Sequence, residues 1–82
     1  MNRTGIGNRI RRLRFEHGEM TQQELAARCE VARQTIVFLE ADRYSPSLAL
    51  AFRIARVFGV QVEDVFTWAN DDRMAKQGDS RE

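Results

Sequence analysis

With 82 residues, 43% of them hydrophobic, the chain is expected to form one small domain with a modest core, without a separate domain for a small-molecule effector. The formal net charge of +1 conceals an asymmetry: residues 1–60 hold ten basic and six acidic side chains, residues 61–82 three and six, so positive charge gathers on the longer part. A single cysteine excludes an internal disulfide, and without a signal peptide, lipidation motif or membrane-length apolar run the expectation is a cytoplasmic protein with no membrane partner.

Residues 1–7, with Gly5 and Gly7, read as a flexible arm leading into a first helix over about Asn8 to His17. Ile6, Ile10 and Leu13 recur at four and three and mark its buried face. Gly18 suits the left-handed position that closes a helix, and His17 beside it is placed to meet exposed carbonyls. Arg9, Arg11, Arg12 and Arg14 crowd this helix, a pattern that fits a solvated face with occasional phosphate contacts. Twelve of the thirteen cations are arginines, which suits bidentate contacts to phosphate and guanine, although high genomic G+C would produce the same bias.

Residues 21–40, T-Q-Q-E-L-A-A-R-C-E-V-A-R-Q-T-I-V-F-L-E, pack two short helical patterns with about three residues between them. Thr21 and Glu24 form a capping box, so a second helix starts at Gln22, with Met20 as a staple to Leu25. Its inward stripe is Leu25, Ala26 and Cys29, and Val31 plugs the turn. In the third helix Ile36 and Leu39 point inward, which leaves Arg33, Gln34 and Val37 on the opposite face. Arginine reads guanine O6/N7 and glutamine reads adenine N6/N7 in pairs of hydrogen bonds, and helix starts meet phosphates, so this spacing fits a helix-turn-helix that reads bases. Val37 is placed to meet a thymine methyl; for Phe38, packing against the next loop or across a dimer is favoured over base contact. Gln22, Thr35, Arg43 and Tyr44 are candidates for the DNA backbone, and Gln22 also for bracing Gln34.

Ser47, after Pro46, is the expected N-cap of a fourth helix, Leu48 to Phe58, with a buried stripe of Leu48, Ala51, Phe52, Ala55 and Phe58 flanked by Ile54. Gly59 ends it. Val62, Val65 and Phe66 exceed what a last short helix needs to cover a core and are read as a dimer surface. Trp68 extends that surface, begins a short strand near residues 66–68, or caps the monomer core. Residues 69–82 are polar and read as a disordered tail. The one histidine has no partner for a metal site or a catalytic pair, no metal, cofactor or catalytic residue is expected, and Cys29 reads as inert packing.

The motifs T-Q-Q-E-L-A, R-Q-T-I, L-E, Y-S-P-S-L, L-A-F-R-I-A-R-V-F-G-V and V-E-D-V-F resemble the lambda-repressor-like (Cro/XRE) helix-turn-helix transcriptional regulators over about residues 8–68. The resemblance implies an all-α, compact five-helix DNA-binding domain in which the third helix enters the major groove of double-stranded operator DNA, as a homodimer and most simply as a repressor. It also implies a structural pair, Arg14 with Glu40. This chain departs from the pattern at Ala32, where a Ser or Thr usually caps the third helix, at Glu30, where the turn usually has glycine, and at Ala41-Asp42, where Asn-Gly is common. The alternative reading is an antitoxin or a protein-interaction adaptor on the same fold, since fold alone does not set function.

Overall fold

The computed structural model describes residues 5–68, and its helices start and stop where local side chains satisfy the backbone. Strand β1 (Ile6–Asn8) leads into α1 (Ile10–Glu16), whose first amide donates to Asn8 Oδ1 at 3.0 Å. In α2 (Gln22–Cys29) the capping box is complete: Glu24 N–H donates to Thr21 Oγ1 at 3.0 Å and Thr21 N–H to Glu24 Oε1 at 2.8 Å. Glu30 then turns left-handed, with φ +62°, so the chain takes up the glycine-favouring geometry without a glycine. Helix α3 (Arg33–Glu40) starts from Ala32, which is extended as an N-cap should be but offers no side-chain acceptor. Asp42, at φ +60°, turns the chain out of α3. Ser47 caps α4 (Leu48–Phe58) through its Oγ and the Leu50 amide, and Gly59 at φ +70° closes it. The short α5 (Val62–Val65) has its start tied by Asp64, whose Oδ2 accepts the Gln61 amide at 2.9 Å. Strand β2 (Phe66–Trp68) follows.

β2 returns antiparallel to β1, pairing Ile6 with Trp68, Gly7 with Thr67 and Asn8 with Phe66. The expected strand at residues 66–68 is therefore present, and its partner is a stretch read from sequence as loose arm. Ile6 and Gly7 belong to this two-stranded sheet rather than to an arm, and Ile6 is half-buried there instead of continuing the α1 stripe. The sheet joins both ends of the domain, aided by the Arg9 amide donating to the Val65 carbonyl at 2.8 Å. Residues 1–4 of the expected arm and the expected tail, 69–82, lie outside the described residues.

All five helices contribute to one core that includes Ile10, Leu13, Met20, Leu25, Ala26, Cys29, Ile36, Leu39, Ile54, Phe58 and Val65. The orientation of α4 differs from the expected stripe. Leu50 and Ile54 are buried, whereas Leu48 is 73% and Phe52 58% exposed. Ile54 is the centre of the inward face, and Phe52, two residues away, lies about 200° around the helix from it. Ala51, Ala55 and Phe58 keep their inward positions. His17 sits where two helices end, its ring nitrogens facing the carbonyls of Leu13 at 2.8 Å and Phe58 at 3.1 Å.

Candidate nucleic-acid interface

With Ile36 and Leu39 buried, the helical repeat turns the start of α3 outward: Arg33 and Gln34 are exposed, Val37 and Thr35 half-buried. Val37 thus offers less surface than its sequence position suggested. Phe38 is 43% exposed. Arg43 and Tyr44 are exposed just beyond, in a turn set by the Arg43 amide donating to the Phe38 carbonyl at 3.0 Å.

A chain of polar contacts ties this face to the scaffold. Arg14 donates from Nε to Glu40 Oε2 at 2.7 Å and from Nη2 to Glu40 Oε1 at 3.1 Å, and a third bond from Nη1 reaches the Met20 carbonyl at 2.7 Å. Gln22 Nε2 donates to Glu40 Oε1 at 3.2 Å, and Gln22 Oε1 accepts from Arg33 Nη2 at 3.4 Å. Both ends of the Gln22 amide are engaged, and the side chain it steadies is Arg33, where Gln34 was the expected neighbour. A charge-assisted pair inside the protein thereby orients an exposed cation at its surface.

Asn8 is the residue that sequence reasoning undervalued. Its Nδ2 donates to the Leu39 carbonyl at 2.8 Å and to Asp42 Oδ1 at 2.9 Å, holding the end of α3 and the turn after it against the start of α1. Those partners are 31 and 34 positions away, and no local pattern signals them.

The candidate dimer residues divide. Val65 is 0% exposed and belongs to the core, so it is unavailable to a partner; Val62 and Phe66 are half-buried against that core, and Trp68 is exposed at the end of β2. Val62 shares a concavity beside α4 with Phe52 and Val60 and with the charged Arg53, Arg56 and Glu63. Cys29 is fully buried, and burial raises its thiol above the ordinary range, with the Arg53 charge acting in the opposite direction. Arg53 also donates to the Cys29 carbonyl at 3.3 Å. Among the described residues no group of His, Cys, Asp or Glu is arranged to hold a metal, and no helix is long and apolar enough to cross a membrane.

The helix-turn-helix family matches residues 10–65, from the start of α1 to the end of α5. The chain belongs to that family. Its resemblance to the Cro/XRE regulators thus extends over the helical part of the domain, and the family is one of DNA-binding transcriptional regulators rather than enzymes. An uncharacterised HTH-type transcriptional regulator of Archaeoglobus fulgidus is 50% identical over 68 residues, which are 83% of this chain and 96% of that one. The immunity repressor protein of Bacillus phage phi105 is 35% identical over 60 residues, 73% of this chain and 41% of the longer repressor. A solved Bacteroides fragilis chain, described only provisionally as DNA-binding, superposes with a TM-score of 0.67 at 22% identity, covering 76% of this chain and 98% of that one, and bears on the fold alone. Within the helix-turn-helix, both helices have exposed polar side chains at their starts, Gln23 and Glu24 on α2 and Arg33 and Gln34 on α3.

Proposed function

We propose that this helix-turn-helix protein is an operator-binding repressor of the cytoplasm that acts as a homodimer, with α3 of each protomer in the major groove. The observation that carries this reading is the exposed Arg33 and Gln34 at the start of α3, with Arg33 steadied through Gln22 by Glu40 and Arg14. A guanidinium and a carboxamide side by side are the groups that hydrogen-bond in pairs to guanine and adenine. Val37 adds apolar surface suited to a thymine methyl. Gln22, Thr35, Arg43 and Tyr44 bind the flanking phosphates and set the register of α3. The second protomer joins through Val62, Phe66 and Trp68. Repression, the simplest outcome of occupying an operator, is supported by the similarity to a phage immunity repressor.

Selection of duplexes from a random pool tests the reading. The expected product is an inverted repeat whose half-sites are about 10 base pairs apart, placing two copies of α3 about 34 Å from each other. Absence of any enriched sequence would overturn it and favour the adaptor or antitoxin reading, in which α3 has no bases to read.

A further inference from the structure

Four arginines lie on or beside α1, and the fold finds acceptors for all but one. Arg14 is bound to Glu40 and the Met20 carbonyl, Arg12 to Glu16 at 3.1 Å, and Arg9 reaches the Asp64 carbonyl at 3.4 Å. Arg11 has no carboxylate or carbonyl partner among the described residues; its guanidinium carbon lies 5.5 Å from the centre of the Phe15 ring, one turn further along the helix. Phe15 is 53% exposed, an aromatic side chain outside the core. A cation over a ring face is attracted by the ring's quadrupole without being neutralised, and the flat guanidinium keeps N–H groups around its edge for an outside acceptor. Arg11 therefore presents a full charge on a support instead of on a freely rotating stem.

The location narrows the acceptor. Phe15 lines two adjoining concavities: one is shared with Arg9, Arg11, Arg12 and Glu40, the other with Thr21, Gln22, Gln23 and Arg33. The ring is thus the step between Arg33, at the start of α3, and Arg11. In the concavity that holds Arg11 both carboxylates are already engaged, Glu16 by Arg12 and Glu40 by Arg14, and Glu19 lines the other concavity. What this leaves is uncompensated positive charge contiguous with the candidate reading face, where the nearest anions of a bound duplex would be phosphates.

We propose that Arg11, carried on the Phe15 ring, binds one phosphate of the DNA backbone beside the groove segment that α3 enters. The contact rests on the function proposed above. It adds affinity and no base preference, because every step of the duplex carries the same phosphate.

The test is a titration of the wild type, Arg11→Ala, Arg11→Lys and Phe15→Leu on a selected duplex and a scrambled one at several salt concentrations. Arg11→Ala should weaken both by about tenfold for each protomer engaged, the loss of one charge-assisted bond, and lower the slope of log affinity against log salt by about 0.9 per protomer. Arg11→Lys should keep the slope, and Phe15→Leu should lose part of the affinity. In duplexes with one neutral methylphosphonate at a time in each half-site, a single position per half-site should abolish the Arg11→Ala penalty. The proposal is overturned if Arg11→Ala matches the wild type in affinity and slope, as a docking surface for another protein would, or if it alters base preference. Wild-type affinity in Phe15→Leu would remove the ring from the account. A wild type that selects no duplex overturns the proposed function as well, whereas one that selects duplexes and loses nothing at Arg11→Ala overturns this contact alone.

Discussion

Arg14 and Glu40 meet through two side-by-side hydrogen bonds, 2.7 Å and 3.1 Å long, with side chains only 9% and 11% exposed, and so join α1 to the last residue of α3. Removing one partner of such a pair strands the other charge away from water. Arg14→Met or Glu40→Leu alone should each cost about 3–5 kcal/mol, while the double substitution should recover much of that loss by replacing both charges with apolar groups. Urea denaturation of the three variants checks this; single-variant losses within about 0.5 kcal/mol of zero would mean that the pair behaves as an exposed one.

Ala32 already has the extended backbone of an N-cap, φ −70° and ψ 149°, and lacks only the oxygen. Ala32→Ser should therefore stabilise the domain by roughly 0.5–2 kcal/mol. Thermal melting should show a midpoint raised by about 4–8 °C per kcal/mol. An unchanged midpoint would show that the first amides of α3 are already satisfied by solvent.

Val62 and Val65 are three residues apart, and only the second is in the core. Val62→Glu or Trp68→Glu should give folded monomers with weakened DNA affinity. Val65→Ala should instead lower stability, by roughly 1.5–3 kcal/mol for two buried methyl groups, and leave association intact. Sedimentation and melting separate the two; a wild type already monomeric at micromolar concentration would remove the dimer.

Gln34 and Arg43 should fail differently on DNA. Gln34→Ala should cost roughly 1–3 kcal/mol on the selected duplex and relax preference at one base pair, and Arg43→Ala should weaken selected and random duplexes alike with a smaller salt slope. In a dimer each substitution occurs twice, up to about doubling the loss. Titrations of both variants on both duplexes check this, and an unaltered base preference in Gln34→Ala would remove α3 as the reader.

Burial holds the Cys29 proton more tightly in the folded chain than in the unfolded one, with Arg53 only partly offsetting it. The thiol should react with a disulfide reagent at neutral pH only as fast as the domain opens, and readily in urea. Because the folded pKa is the higher, stability should be undiminished below about pH 8.5, the ordinary thiol value, and fall as pH rises from there toward the folded value. Cys29→Ala should remove that fall, measured as urea midpoints across the alkaline range.

What could be read from the sequence alone was local. The Thr21/Glu24 box, the Ser47 cap, the Gly59 stop and the outward turn of Arg33 and Gln34 depend on hydrogen bonds and periodicity within a turn or so, which adjacent residue types determine. The left-handed turns at Glu30 and Asp42 were legible as positions even though their residue types departed from the usual ones. What the tertiary structure decided depended on partners far along the chain. Ile6 and Gly7 become strand only because Thr67 and Trp68 return beside them, and Asn8 finds Leu39 and Asp42 only once α3 lies against α1. Phe52 is as apolar as Leu50, and Val62 and Val65 are the same residue; which of each is buried was set by the face that α4 and α5 turn to the other helices. Periodicity spaces a stripe, but the rotation of a helix about its own axis is fixed by what packs across from it.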